Sequence, residues 1–153
     1  MQDHFFEDFE VGETFESQGM TLTEGAIIDF ALTYDPQPFH IDKVAATASH
    51  FGGLIASGWQ VAAIGFRLIT QTGFLKGGGM GSPGLEDVRW HRPVRPGDTL
   101  RTTAAVTEIR PSSSRRDRGY VTLAFEILNQ DDAAVMSFSA IEIIARRPTE
   151  KTT

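Results

Sequence analysis

The sequence predicts an α+β fold in which an antiparallel sheet of five strands wraps around one long central helix. Three observations support this class. The first half of the chain has the apolar spacing of helices, and the second half alternates apolar and polar residues as strands do. One helix of the first half is apolar on nearly every side. Such a helix must be covered by other elements, so the strands are expected to surround it.

The helices and one short strand are predicted before residue 71. Residues 11–17 read as a turn followed by a short strand. Thr23 is suited to cap a helix that should end just before Pro36. The apolar stripe of this helix consists of Ile27, Ile28, Ala31 and Leu32.

Two further helices follow in the same half. Asp42 is placed to cap a short helix through residues 45–48, which the glycines at 52 and 53 should end. The long helix covers residues 57–70, with Ser57 as its predicted cap. Because this helix is apolar all round, we expect it to be the central one.

Four long strands are predicted in the second half, at residues 85–91, 99–109, 119–129 and 133–145. The last one slips out of alternation near residues 139–141, which indicates a bulge there. The glycine-rich stretch before the first of them, residues 76–84, predicts a mobile loop. A sheet of this size covers only one side of its helix and leaves open edges. We therefore expect a homodimer, in which a second copy completes the burial.

Composition narrows the function. The 153 residues fit a single domain, residues 1–153, with a polar tail from about Pro148. A net charge of -6 argues against a nucleic-acid binder, and the lack of cysteine excludes disulfides and zinc–thiolate sites. No apolar run is long enough to span a membrane, and the first residues do not resemble a signal peptide. We expect a cytoplasmic protein with neither nucleic acid nor membrane as partner.

Residues 34–42 carry an acid and an imidazole, Asp35 and His40, on a segment that Pro36 and Pro38 should hold as a stiff, non-helical loop. Stiffness suits a proton-transfer pair. Without the other motifs, such a pair is more often a surface or packing feature than a catalytic one. A second alternative is that His40 and Asp42 supply two ligands of a metal site. No third ligand is apparent nearby, and Asp42 is better explained as a helix cap, so no metal is predicted.

Three motifs occur together and in order, at residues 35–42, 51–58 and 92–98. They resemble those of the MaoC-like dehydratases, a family that includes the (R)-specific enoyl-CoA hydratases, over about residues 9–145. The resemblance implies the hot-dog fold, an antiparallel sheet around a long helix, usually as a dimer. It also implies a coenzyme A thioester as the substrate, without a metal or redox cofactor.

The same resemblance gives roles to individual residues. Asp35 and His40 take the catalytic positions, and the Gly58 amide takes the oxyanion position. The family usually has Asn where this chain has Gln37, and often His where it has Ser57. We therefore expect Gln37 and Ser57, which neighbour the proton-handling pair, to affect substrate and rate more than reaction class.

Hydration of a double bond conjugated to a thioester has three requirements. A group must take a proton from water, another must give a proton to the α-carbon, and hydrogen-bond donors must stabilise the carbonyl oxygen as enolate charge develops. A histidine and a carboxylate that hold one water meet the first two requirements. The N-terminus of the long helix, with its unpaired N–H groups, meets the third.

Other residues are candidates for substrate binding. Trp59, with Phe66 and Leu68, is placed to shape an acyl pocket, the alternative being core packing. A basic turn between two predicted strands either anchors the coenzyme A phosphates or is a solvated hairpin tip. This turn contains Arg115, Arg116 and Arg118, with Arg92 and Arg95 as weaker candidates for the same task.

The sequence therefore predicts a hydro-lyase that reversibly hydrates trans-2-enoyl-CoA, or a related acyl thioester, to the (R)-3-hydroxyacyl product. Two alternatives stay open at this point. A hot-dog acyl-CoA thioesterase would also use a carboxylate beside a helix N-terminus, but it would release free thiol. A non-catalytic acyl-CoA-binding protein would keep the fold without the activity.

Overall fold

A computed structural model describes residues 2–149, so the last four residues of the predicted polar tail lie outside the described part. After a short 3-10 turn at Phe6–Asp8, the elements are β1 Thr14–Glu16, β2 Met20–Thr21, α1 Glu24–Tyr34, α2 Pro38–Ile41, α3 Lys43–Ala48, α4 Gly58–Thr70, β3 Leu85–Trp90, β4 Thr99–Pro111, β5 Arg118–Leu128 and β6 Ala134–Ala145.

The strands form one antiparallel sheet in the order β1-β4-β5-β6-β3, and the two residues of β2 pair with the start of β4. This arrangement confirms the predicted α+β class and the five main strands. The alternation on β4 is also confirmed, because the predicted inward-facing residues are all buried. These residues are Leu100, Thr102, Ala104 and Val106.

Helix α4 approaches this buried face most closely at Gly65. A Cβ atom at that position would overlap the Cδ1 atom of Ile127 and lie 2.6 Å from its Cγ1 atom. The buried hydroxyl of Thr102 donates a hydrogen bond of 2.8 Å to the Gly65 carbonyl oxygen. The missing side chain and this polar contact together fix how deep the helix lies on the sheet.

The helix caps were predicted correctly in two cases. The Thr23 hydroxyl accepts a hydrogen bond from the Ala26 N–H at the start of α1. At the start of α3, the Asp42 carboxylate accepts from the N–H groups of Val44 and Ala45. The apolar stripe of α1 was predicted less well, since Leu32 is 61% exposed.

The predicted bulge near residues 139–141 is wrong. Those residues pair with β5 in unbroken register. The register of β6 shifts earlier, at Val135, between Ala134 and Met136. Strand β3 has a second shift between Glu86 and Arg89, where Asp87 has a left-handed φ of 52°. The slip in alternation on β6 arises because Glu142, a charged residue type, occupies a buried position.

The glycine-rich stretch before β3 has turns and isolated bridges but no helix or strand, as predicted. Backbone hydrogen bonds nevertheless attach it to β6. The Met80 N–H donates to the Ile143 carbonyl, and the Ile143 N–H donates to the Gly81 carbonyl. The stretch is therefore held along β6.

One side of α4 stays uncovered in the single chain. Trp59 on this helix is 65% exposed and Phe66 is partly exposed, so the helix is not wrapped on every side. Leu85 and Trp90 on the edge strand β3 are exposed as well. Among the described helices, none is long and apolar enough to cross a membrane.

We expect Gly65→Ala to lower the free energy of unfolding by about 1–3 kcal/mol, because the new methyl group overpacks the contact with the buried Ile127 side chain. The measurement is equilibrium unfolding in urea. Gly25→Ala is the matched control. It lies in α1, and a Cβ atom there would have no other atom within 4 Å, so the same substitution should stabilise that helix. Equal effects at the two positions would contradict the close approach.

Candidate active site

The segment that carries the acid and the imidazole is partly helical. Pro38 starts the single turn α2, and His40 lies within it. The prediction of a non-helical loop is therefore wrong for Pro38–Ile41. Proline is tolerated in the first turn of a helix because its missing N–H would have no intrahelical partner there. Asp35 precedes this turn as the C-cap of α1.

The His40 ring is buried, and both of its nitrogens have defined neighbours. Nδ1 lies 2.8 Å from the Ile55 carbonyl oxygen. Because a carbonyl can only accept, Nδ1 carries a hydrogen and donates it. Nε2 lies 3.2 Å from Asp35 Oδ2. In the neutral ring Nε2 is therefore the basic nitrogen, and it is the atom that can exchange a proton.

Two side chains donate hydrogen bonds to the Asp35 carboxylate. The Ser57 hydroxyl donates to Oδ2 at 2.6 Å, and the Gln37 amide donates to Oδ1 at 2.7 Å. The Ser57 hydrogen bond lowers the pKa of Asp35 most. Burial opposes it, and Gln37 and His40 lower the pKa further. Asp35 is therefore ionised at neutral pH.

Ser57 has a different role from the predicted one. It occupies the N-cap position of α4, but its side chain makes no capping hydrogen bond and instead binds Asp35. The first N–H groups of α4 are therefore left without a side-chain acceptor from the cap. The Gly58 N–H has no hydrogen-bond acceptor anywhere in residues 2–149. It is free for a ligand oxygen.

Gly58 is also required by its neighbour on the edge strand. The Trp90 indole N–H donates to the Gly58 carbonyl oxygen at 2.9 Å. A Cβ atom on residue 58 would lie 2.6 Å from that indole nitrogen. The absent side chain lets the ring lie against the helix terminus.

These groups open into one cavity of about 420 Å³. Its polar walls include Asp35, His40, Gln37 and Gly58, all named from the sequence, and Trp59 lines it too. Sequence reasoning missed the walls supplied by Trp90 and His91, among others, because nothing in the pattern of β3 marks its last residues as close to α4. No group of three or more potential ligands in the described chain is arranged to hold a metal ion.

The basic turn lies elsewhere. It connects β4 to β5 at the end of the sheet where Arg118, the first residue of β5, pairs with Ala145. The cavity is lined by none of its arginines, Arg115, Arg116 and Arg118. The Arg118 guanidinium binds Asp117 with hydrogen bonds of 2.8 and 2.9 Å. A single chain therefore does not bring this turn to the cavity, and its role as a phosphate anchor stays a prediction.

The weaker arginine candidates are the ones near the cavity. Arg92 lines it. Arg95 donates a hydrogen bond to the carbonyl oxygen of Phe51, which is another cavity residue. A phosphate anchor for a ligand of this cavity is therefore better sought at Arg92 than at the basic turn.

A family model and solved structures agree on the family and the fold of this chain. The family described as MaoC like domain matches residues 8–125. A solved MaoC-like dehydratase from Rhodospirillum rubrum is 42% identical, with a TM-score of 0.84 over 95% of this chain and 99% of that one. A Mycobacterium tuberculosis protein with a double hot-dog fold matches at 21% identity with a TM-score of 0.79, covering 99% of this chain and 47% of that one, which supports the fold alone.

Two curated relatives match over most of their lengths. The uncharacterised protein YdeM of Bacillus subtilis is 29% identical over 140 residues, which cover 92% of this chain and 98% of the relative. The (R)-specific enoyl-CoA hydratase of Rhodospirillum rubrum is 29% identical over 144 residues, covering 87% of this chain and 91% of the relative.

We expect Ser57→Ala to raise the pKa of Asp35, because it removes the largest of the interactions that lower it. A carboxylate whose pKa is depressed loses its charge only as the pH falls through that low value, so the variant should protonate at higher pH than the wild type. Carboxyl ¹³C NMR titration measures the pKa of Asp35 in the wild type and in the variant. Ser112→Ala, in the exposed β4–β5 turn, is the control and should leave the titration of Asp35 unchanged. A titration curve that Ser57→Ala does not move would contradict this account.

Proposed function

We propose that this chain, which belongs to the MaoC-like domain family, is a hydro-lyase that reversibly hydrates a trans-2-enoyl thioester of coenzyme A to the (R)-3-hydroxyacyl product. The observation that carries the proposal is the approach of His40 Nε2 to Asp35 Oδ2 at 3.2 Å, in the same cavity as the free Gly58 N–H. The family membership supports a hydratase or dehydratase reaction, and the relative from Rhodospirillum rubrum supports the substrate class.

In the proposed reaction, a water molecule in the cavity contacts both His40 Nε2 and the Asp35 carboxylate. The pair takes one proton from the water as its oxygen forms a bond to C3 of the substrate. A proton from the pair goes to C2, so that H and OH are added across the double bond and the site returns to its starting state. Dehydration is the same sequence in reverse.

Charge develops on the thioester oxygen while C3 is attacked and before C2 is protonated. The Gly58 N–H can donate to that oxygen, and the positive end of the α4 dipole stabilises the negative charge. Because the Gly58 amide lies at the first helical position, the donor is held by the helix and needs no rearrangement during the reaction. Arg92 is available at the cavity wall for a phosphate of coenzyme A.

The two ring nitrogens of His40 have different roles. Nδ1 is committed to the Ile55 carbonyl, which orients the ring and leaves Nε2 for proton exchange. Asp35 stays charged and so offsets the positive charge that the ring acquires when it takes a proton.

We expect Asp35→Asn and His40→Ala each to lower kcat/KM for crotonyl-CoA by about 100- to 10,000-fold, because each removes half of the proton-transfer pair. The assay follows the loss of the enoyl absorbance together with free thiol. Asp42→Asn is the control, since asparagine caps a helix nearly as well as aspartate and the side chain faces α3. Turnover that survives both changes in folded protein would reject the hydratase, and release of free thiol would point to a thioesterase.

We also propose that two copies associate through the uncovered side of α4 and the free edge of β3. Exposed apolar residues lie on both elements, among them Trp59 on α4 and Leu85 on β3. Strand β3 has a partner on one side only, so its other edge is available for pairing.

We expect Leu85→Glu to shift the protein from dimer to monomer in analytical ultracentrifugation, since it places a charge in the proposed interface. Val44→Glu is the matched control. Val44 is 82% exposed on α3, away from the proposed interface, and its substitution should leave the mass unchanged. A monomeric wild-type protein would contradict the association.

A further inference from the structure

Glu142 is a buried carboxyl group that the proposed reaction does not use. It lies on β6 on the same face as Phe138 and Ile144 and is only 3% exposed. No hydrogen-bond donor and no cation within the described residues contacts its carboxyl group. Burial raises the pKa of Glu142, which favours the neutral acid.

The carboxyl group faces a second cavity, of about 490 Å³. The rest of its wall is almost entirely apolar or glycine, with Ser82 as the other polar residue. Helix α4 contributes Ala62 and Phe66, and β3 contributes Leu85, so this cavity borders the proposed dimer interface. A single unpaired acid in such surroundings lacks the partner that buried polar groups normally have.

This second cavity is a neighbour of the candidate active site. Gly58, Ala62 and Phe66 are spaced four residues apart and so share one face of α4. The rise of a helix places Ala62 about 6 Å and Phe66 about 12 Å along the axis from Gly58. Strand β3 runs beside both cavities, with Trp90 at the first and Leu85 at the second. An acyl tail that extends along this face from a thioester carbonyl at Gly58 would pass Ala62 and Phe66, which line the second cavity.

We propose that Glu142 is a specificity-determining residue that binds a hydrogen-bonding group, such as a hydroxyl or carbonyl, on the tail of a medium-length acyl thioester. The inference rests on the proposed function, because it takes the thioester carbonyl to lie at Gly58. A neutral carboxylic acid both donates and accepts, so it can pair with either kind of group. The apolar wall formed by Ala62 and Phe66 covers the methylenes between the thioester and the tail.

The test is a comparison of two saturated ligands by isothermal titration calorimetry, which needs no turnover. The ligands are octanoyl-CoA and the same thioester with a terminal hydroxyl. We expect wild-type protein to bind the hydroxylated ligand about tenfold more tightly, the size of effect that one buried hydrogen bond produces. Glu142→Gln should keep most of this preference, and Glu142→Leu should abolish it.

Glu126→Leu is the matched control, because Glu126 is exposed on the outward face of the neighbouring strand β5. It should keep the wild-type preference. Equal affinities of wild-type protein for the two ligands, or an unchanged preference in Glu142→Leu, would overturn the role of Glu142. Crotonyl-CoA hydration by wild-type protein is measured separately. Its absence alongside a clear ligand preference would reject the proposed reaction and leave the specificity of the pocket in place.

Discussion

The close contact of α4 with the sheet at Gly65 sets the position of everything in the site. The helix can lie this deep only because no side chain separates its backbone from Ile127, and Thr102 binds the Gly65 carbonyl. The depth of the helix in turn determines the position of its N-terminus, and therefore the positions of Ser57 and the Gly58 amide. The packing of the core therefore also determines the geometry of the candidate site.

Ser57 joins the two parts of the site. In most helices a serine at this position would satisfy the first-turn N–H groups of its own helix. Here its hydroxyl donates to Asp35, so a residue in the loop before α2 and the terminus of α4 are bonded directly. This one orientation of the side chain has two effects, since it leaves backbone donors free and holds the neighbouring carboxylate in its charged form. The combination suits a reaction that needs a proton-handling pair and an oxyanion donor side by side.

Much of the fold and part of the candidate site could be predicted from the sequence. Alternation of apolar residues predicted the strands, and capping residues such as Thr23 and Asp42 predicted where helices begin, because both signals are local. The resemblance to a known family pointed to Asp35, His40 and Gly58. Features that depend on contacts distant in the sequence were missed or wrong. The bulge in β3, the partner of Ser57 and the place of Trp90 all depend on which element packs against which, and a single sequence does not specify that.

The basic turn is another example of a motif whose position in the fold a single sequence does not specify. The cluster of arginines fits either a phosphate ligand or a solvated hairpin tip, and the length of the β4–β5 hairpin places it at the end of the sheet where Arg118 pairs with Ala145. The residues of the turn suggested what it could bind, but they did not specify where in the fold it lies.

The packing of Trp90 against Gly58 has a practical consequence. The chain has two tryptophans, Trp59 and Trp90, and both line the candidate cavity with their rings edge to face at a centroid distance of 5.5 Å. The indole N–H of Trp90 is bonded to the carbonyl of the residue whose amide would receive the ligand oxygen. The tryptophan fluorescence of the protein therefore originates entirely from its site, so occupancy can be followed optically in the unlabelled wild-type chain.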